Sequence, residues 1–334
     1  MSTTPTPLAH YMTSDMRPAT AGDIGELIEL HAQPAQHAGN IHRMSAADLD
    51  GVDLERNTRI LVDPNTGKIV GYVDFDDCMF SDANYPYMTW FADRGHPDYP
   101  DICKILIRWC EHRAVGPIPE EALVLSGYVH SKDAQCIGIY ESLGYRNLHG
   151  AGDTMSMSLA EVTDVPPVPA GIVVRVLQID DDDVCMRLTH EAFSESWGPP
   201  DRPGNEWELG TWRSHHRGPR ALRCLMFGAF DGPAIVATAL CTRIDDDPRA
   251  VNLDLFAVHK RWRGTGLSRA LLLHTLREAR ATGFEAAELQ VFSINTPAVR
   301  LYTSAGMHVV RSYLIYEKTL RPGIDTRNRR MQTH

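Results

Sequence analysis

Several things are missing from these 334 residues, and each absence narrows the function. No apolar run reaches the ~18 residues needed to span a bilayer, so no membrane-crossing helix and no membrane partner is expected. The first fifteen residues, MSTTPTPLAHYMTSD, have neither a basic start nor an apolar core; they read as a disordered lead and not as a secretory signal. The seven cysteines (Cys78, Cys103, Cys110, Cys136, Cys185, Cys224 and Cys241) are scattered, odd in number and form no Cys-x-x-Cys. That argues against a zinc site, a bound metal or a disulfide framework, and fits a reducing, cytoplasmic setting. A dense basic face is lacking too. Net charge is −10, and it is uneven: residues 1–168 hold 11 Lys and Arg against 24 Asp and Glu, residues 169–334 hold 22 against 19. Nucleic acid is therefore not an expected partner. Only the second half could welcome a polyanion.

What is present centres on Leu253 to Leu272, LDLFAVHKRWRGTGLSRALL. An apolar strand-like run, Leu253 to Val258, passes through His259 and Lys260 into Arg261-Trp262-Arg263-Gly264-Thr265-Gly266, and an apolar helix starts at once with Leu267. Such a turn is suited to phosphate. The first N–H groups of a helix have no intrahelical partner, and the dipole puts partial positive charge there. Gly264 and Gly266 allow close backbone approach and positive φ. Arg261 and Arg263 add charge that grips phosphate oxygens. A lone Gly-x-Gly is weak; strand, basic glycine turn and helix together are much stronger.

The length suggests two domains. After the lead (1–15), residues 16–163 read as strand, helix, antiparallel strands, strand, helix, strand, helix and strand. Ile24, Leu27 and Ile28 mark a helix face, and Asn65-Thr66-Gly67 between two apolar runs marks a hairpin. Residues 164–171, containing Val165-Pro-Pro-Val-Pro-Ala-Gly171, form a stiff proline-rich linker. Residues 172–322 restart the programme, with Arg175 before a turn as Arg17 is, and Asp231-Gly232 at a second hairpin. The run Asp180–Asp183 reads as a solvated helix start and not a metal site. Residues 323–334 are a flexible tail. The repeat has a register: Asp133, Cys136, Tyr140 and Gly144 match Asn295, Ala298, Tyr302 and Gly306, each offset by 162. The expected fold class is α/β (α+β mixed sheet), built twice, each time a central mixed β-sheet flanked by helices.

Three segments make the second repeat resemble the GNAT superfamily of acyl-CoA-dependent N-acetyltransferases. The pyrophosphate pattern [Gln/Arg]-x-x-Gly-x-[Gly/Ala] is Arg261-Trp-Arg-Gly264-Thr-Gly266, preceded by Val258 and followed by Leu267. Asn-x-x-Ala-x-x-x-Tyr is Asn295-Thr-Pro-Ala298-Val-Arg-Leu-Tyr302, and the glycine pair after that helix is Gly306-Met307. The resemblance covers roughly residues 171–320, and the doubled chain looks like the tandem-GNAT architecture of mycothiol synthase-type chains. No motif ties it to that enzyme over other tandem members. The first repeat departs from the pattern. RGHPDYPDICKIL has no Gly-x-Gly before its helix, and Pro100 and Asp101 stand where amide donors and positive charge are wanted. It reads as a GNAT-like domain with a degenerate cofactor loop.

The resemblance implies acetyl-CoA as cofactor. It implies pyrophosphate held by Arg261 and by the backbone of Arg263, Gly264, Thr265, Gly266 and Leu267, with the Ser268 hydroxyl beside them. It implies a bulged, splayed strand whose Phe256 and Val258 backbones meet the pantetheine, an amide there polarising the thioester. Tyr302 becomes the general acid toward the leaving sulfur, and Asn295 a cofactor contact. Asp254 matches the family's glutamate, as base or as anchor for a cationic acceptor. Glu206, Glu208, His215 and His216, with Trp197, Trp207 and Trp212, lie in the segment that usually covers the acceptor. The expected activity is acetyl-CoA-dependent N-acetyltransfer, the acyltransferase class moving groups other than amino-acyl. It would act through residues 172–322 on the primary amine of a small cationic metabolite or antibiotic, as monomer or homodimer. Two readings stay open: a non-catalytic acyl-CoA-binding sensor or partner protein, and a protein or peptide N-acetyltransferase.

Overall fold

A computed structural model of the chain describes residues 16–32, 44, 49, 52–76, 84–116, 118–162, 164–194, 209–244 and 247–325. In chain order the first elements are β1 (Met16–Arg17), α1 (Ile24–His31), α2 (Leu54–Asn57), β2 (Thr58–Val62), β3 (Ile69–Asp76), β4 (Tyr87–Ala92), α3 (Tyr99–Arg113), β5 (Leu123–His130), α4 (Ala134–Ser142) and β6 (Arg146–Ser158). There follow β7 (Ile172–Val176), α5 (Asp182–Ser194), α6 (Leu209–His216), β8 (Ala221–Asp231), β9 (Ala234–Arg243), β10 (Ala250–Val258), α7 (Leu267–Ala281), β11 (Ala286–Phe292), α8 (Thr296–Ser304) and β12 (His308–Arg321). Among the described residues no helix is long and apolar enough to cross a membrane.

The chain forms two compact units that are not contiguous in sequence. One gathers residues up to Leu148 together with Tyr313–Asp325; the other gathers His149–Ser312. Within the first unit the strands run β1-β2-β3-β4-β5-β12. The first four pair antiparallel in succession, β4 and β5 pair parallel, and β12 closes antiparallel to β5. Within the second the order is β7-β8-β9-β10-β11-β6. Again there are three antiparallel pairings, one parallel pairing of β10 with β11, and an antiparallel closure by β6. The two sheets are the same sheet built twice, with mixed pairing and flanking helices.

The partition differs from a division in chain order at the proline-rich segment. Residues 152–158 of β6 pair with β11, and residues 313–321 of β12 pair with β5. Each closing strand thus completes the repeat that did not precede it. Both closing strands meet a partner of the same kind, the fifth strand of a repeat, so periodicity carries no information on which of the two receives which.

Each unit has its own core. In the second, α7 lays Leu267, Ala270, Leu271, Leu273 and Leu276 against the sheet at helical spacing, buried with Leu253, Val258, Leu289 and Met157. In the first, Ile102, Leu106 and Cys110 of α3 pack with Val73, Phe75 and Leu125. Both hairpins form, on Gly67 (φ 69°) and Gly232 (φ 55°). Asp180 is exposed and Asp183 partly so, as a solvated helix head should be, but Asp182 departs from that reading. The Asp182 side chain is 1% exposed and pairs with Arg213 Nε at 2.9 Å and Arg217 Nη2 at 2.7 Å. Those partners lie more than thirty residues downstream, so the sequence at the helix start does not reveal them. No group of three or more His, Cys, Asp or Glu able to hold a metal occurs among the described residues.

Candidate active site

In β10 and its exit turn the second unit sets out a site. Strand β10 pairs with β11 only over Ala250, Asn252 and the residue between them, and beyond Asn252 that register ends while β10 stays paired with β9 as far as Val258. The two parallel strands therefore splay. A bulge sits at the same place: Leu253 faces Cys241, Leu255 faces Leu240, and Asp254 is the extra residue between them. The bulge switches faces, sending Leu253 into the core under α7 and Leu255 into a second cluster with Trp212, Cys185 and Met226. Without it, period-2 alternation would put both leucines on one side.

The strand leads into a 3₁₀ turn, Lys260–Trp262, where His259 Nδ1 accepts the Arg261 N–H at 3.2 Å. Two further bonds fix the loop: Arg263 Nε donates to the Val258 carbonyl at 3.2 Å, and Thr265 Oγ1 donates to the Trp262 carbonyl at 2.8 Å. Gly264 and Gly266 have φ of 77° and 91°, and a Cβ on either would meet nothing within 4 Å. Conformation, not crowding, demands glycine here, and the space above the loop is open. Gly266 is the N-cap of α7 and has no side chain to bond the first amides. The first full helical bond is Ala270 N–H to the Gly266 carbonyl, 3.0 Å. Amides from Leu267 to Arg269 thus point out of the helix start, and Arg261, Arg263, Gly264 and Thr265 are exposed around them while Ser268 is half-buried.

Tyr302, on α8, is buried, and burial pushes its hydroxyl up to about 12. Its ring meets that of Phe256 edge-on at 6.3 Å, so helix and splayed strand come together at these two residues. Asn295 is the N-cap of α8, its Oδ1 accepting from the Ala298 N–H at 3.4 Å. Asp254 lies across the strand from this pair. Its Oδ2 is 3.2 Å from His216 Nδ1 at the end of α6, an ion-pair distance whose angle falls short of an aligned hydrogen bond. Asn252 Nδ2 donates to Asp254 Oδ1 at 3.4 Å. Trp212 is core, 1% exposed, and its ring lies 4.8 Å from that of His216. Trp197, Glu206, Trp207, Glu208 and the His215 side chain lie outside the described residues. Proximity of a histidine to the bulge aspartate is what the sequence does not supply, since the two are 38 positions apart and joined by no motif; only the helix spacing from buried Trp212 to His216 hints that His216 faces inward.

The chemistry of these groups fits a long anionic thioester. The loop offers amides and guanidinium groups to phosphate oxygens, and the splay offers unpaired strand edges to an extended amide-bearing arm.

In the first unit the equivalent positions are closed. Strands β4 and β5 pair parallel only at Tyr87–Ser126 and Met88–Gly127, so they part as well. Tyr140, however, is fully buried in the gap. Trp90 Nε1 on β4 donates to its hydroxyl at 2.8 Å, and its ring stacks on Tyr316 at 5.3 Å. On the β5 side a Cβ at Gly127 would stand 2.3 Å from the Tyr140 hydroxyl oxygen. Helix α3 opens on Asp98, Tyr99, Pro100 and Asp101, which puts a carboxylate where an anion would have to bind. Arg94 is occupied by buried Asp133, the N-cap of α4.

Comparison with known proteins gives three findings. The Acetyltransferase (GNAT) family matches residues 186–307, a span inside the second unit. A mycothiol acetyltransferase from Actinosynnema mirum is 23% identical over 296 residues, covering 85% of this chain and 85% of that protein. Among solved structures, a GCN5-related N-acetyltransferase from Sphaerobacter thermophilus superposes with a TM-score of 0.74 at 24% identity, over 93% of this chain and 96% of that one. A tandem GNAT protein from the clavulanic acid biosynthesis pathway superposes with a TM-score of 0.67 at 14% identity, over 92% and 99% of the two chains. The last two show shared fold.

Proposed function

We propose that the chain is an acetyl-CoA-dependent N-acetyltransferase of the GNAT type whose chemistry resides in the second unit, a reading supported by the family match over residues 186–307. One observation carries the assignment to that unit. Bulge, splay and an exposed basic glycine loop occur together there, whereas the corresponding gap in the first unit is filled by Tyr140 and its anion position carries Asp101.

Acetyl-CoA, when bound, supplies the activated acyl thioester. Backbone N–H groups of Gly264, Thr265, Gly266, Leu267 and Ser268, with Arg261 and Arg263, hold its pyrophosphate. The edge of β10 that faces the splay, at Phe256 and the Val258 N–H, would orient the pantetheine arm, and a strand amide there would polarise the thioester carbonyl. Tyr302 keeps its proton at neutral pH, since burial raises it to about 12. A thiol titrates near ~8.5, so Tyr302 acts on the leaving sulfur chiefly by donating a hydrogen bond. Asn295 caps α8 and so sets where that hydroxyl stands. Asp254 serves the acceptor side.

The acceptor is the primary amine of a small cationic molecule, a reading supported by the acidity of residues 1–168. The test is calorimetric titration with acetyl-CoA followed by thiol release over a panel of amines, including the acceptor of the mycothiol enzyme. Tyr302→Phe is expected to bind acetyl-CoA within about twofold of wild type while kcat falls roughly 10- to 100-fold. Failure of wild type to bind acetyl-CoA overturns the assignment, and turnover confined to acidic or neutral amines overturns the acceptor class.

A further inference from the structure

Helix α8 carries Tyr302, yet little apolar surface holds it. Among the described residues of α8 only Tyr302 is buried, with Ala298, Val299 and Leu301 half-buried beside it. Its N-cap bond, from the Ala298 N–H to Asn295 Oδ1, is long at 3.4 Å. The opposite end is gripped from another helix. Arg269 Nη1, on the first turn of α7, donates to the Ser304 carbonyl at 2.7 Å and to Ser304 Oγ at 2.8 Å. We propose that Arg269 is a positioning residue: by gripping the last turn of α8 it sets the Tyr302 hydroxyl relative to the helix start that holds the pyrophosphate. This rests on the acetyltransferase reading above.

Three features of the second unit support it. First, the place of the grip suits a cation. The last carbonyls of a helix lack intrahelical partners and the dipole puts partial negative charge there, so a guanidinium is a favoured partner. Second, the gripped turn is knitted together. Ser304 Oγ donates to the Leu301 carbonyl at 2.7 Å, and the Tyr302 carbonyl accepts from the N–H groups of Ala305 at 3.0 Å and Met307 at 3.1 Å. Tyr302 lies two residues before Ser304 inside that turn, so a shift of the turn shifts the phenol. Its ring meets Phe256 of the splayed strand at 6.3 Å, the place where the thioester has to lie on this reading. Third, Arg269 is the third residue of α7, within the turn whose amides stay open to an anion. One helical turn thus serves both ends of the chemistry, the pyrophosphate through its amides and the tyrosine's helix through a side chain.

The first unit lacks the grip. The third residue of α3 is Asp101, whose carboxylate lies 3.5 Å from Lys104 on its own helix. Ser142, which matches Ser304 at the repeat offset of 162, keeps the local bond, its Oγ donating to the Ile139 carbonyl at 2.8 Å. An ionised aspartate has no proton to give a helix carbonyl, so nothing equivalent to Arg269 can form there. Helix α4 is held by burial instead, of Cys136, Ile139 and Tyr140. Packing suffices for a tyrosine that plugs a gap. A tyrosine that has to meet a ligand in an open gap needs a hold that leaves the gap empty, and a guanidinium reaching the far end of the helix gives one.

The experiment compares full-length wild type, Arg269→Met, which keeps the stem and loses the donors, Arg269→Lys, Tyr302→Phe, and Arg269→Met combined with Tyr302→Phe. It records kcat with the best primary amine of the panel, and acetyl-CoA affinity by calorimetry. Arg269→Met should lower kcat about 10-fold while acetyl-CoA affinity stays within about twofold. Arg269→Lys, which keeps a charged donor at the end of α8, should return to within about threefold of wild type. With Tyr302 already changed to Phe, Arg269→Met should cost less than about twofold more, since a residue that acts through the phenol then has nothing left to place. Equal losses from Arg269→Met in the two backgrounds overturn the proposal. So does a loss of acetyl-CoA affinity with kcat unchanged, which would make Arg269 a cofactor ligand. Wild type that binds acetyl-CoA yet acetylates no amine overturns the acyltransfer reading itself, and the role of Arg269 with it.

Discussion

The two units share one topology and differ where a cofactor would bind. In each, four strands pair antiparallel, the fourth and fifth pair parallel for two or three residues, and the gap then opens. The second unit leaves the gap between strand edges and puts Gly264 and Gly266, at positive φ, before a helix with no side-chain cap. The first fills its gap with a phenol bonded to an indole and starts its helix on a carboxylate. Splay thus belongs to the scaffold, and the side chains put into it decide whether the gap stays open. The largest expected effect breaks this contrast directly. Gly266→Asp forces a side chain into the left-handed region and sets an anion at the helix start. It should weaken acetyl-CoA binding at least about 100-fold, from roughly 1–2 kcal/mol of strain plus charge repulsion. Asp101→Asn in the first unit should create no second site, so calorimetry should read one acetyl-CoA per chain before and after.

Next in size is an exchange of signatures between two tyrosines. The fall in kcat expected of Tyr302→Phe should come with little loss of stability. Tyr140→Phe should do the reverse, leaving kcat unchanged while stranding the Trp90 N–H, at a cost of about 1–2 kcal/mol in denaturant unfolding. A loss of turnover in Tyr140→Phe would show that the first unit contributes to chemistry, and the contrast would fail.

Much of this was legible in the residues. The positive-φ turn at Gly264 and Gly266, the α8 cap at Asn295 and the acidic start of α3 at Asp101 were legible, because backbone conformation and charge are local properties. Three features were not. The exchange of β6 and β12 is invisible because equivalent strands offer equivalent edges. Burial of Asp182 depends on Arg213 and Arg217 arriving from another helix. The His216–Asp254 contact joins a helix end to a bulge across 38 positions, and no period links them.

A smaller effect sharpens how the gap is closed. Gly127→Ala puts a methyl against the Tyr140 hydroxyl oxygen, which stands 2.3 Å from the new Cβ, with the Tyr140 Cζ at 3.2 Å and the Met88 Cγ at 3.3 Å. Backbone on one side and a stacked ring on the other leave little room to relax. A loss of about 1–3 kcal/mol is expected. Adding Tyr140→Phe should recover part of it, since the closest atom is then gone; a purely additive double variant would mean that Gly127 does not shape the plug.

The smallest effect tests what the units hold in common. Arg17 forks onto Asp23 at 2.8 and 2.7 Å, and Arg175 forks onto Asp181 at 2.7 and 2.8 Å, each just before the first helix of its unit. In both, the guanidinium bond holds the carboxyl below its ordinary value, with burial opposing it and a backbone N–H, of Thr20 or Gln178, assisting. A carboxyl depressed in the folded state stabilises it above the unfolded value of ~3.9 and loses that contribution as pH falls through the folded value. Both arginines are near half exposed, at 48% and 44%, so solvent screening limits each pair to about 0.5–1 kcal/mol. Asp23→Asn and Asp181→Asn should therefore cost equal, small amounts at pH 7, and the difference from wild type should shrink as the pH drops below ~4. Equal costs would place this pair among the scaffold features that both copies keep, alongside the splay and apart from the glycine loop. A cost confined to Asp181→Asn would instead tie the pair to the active copy.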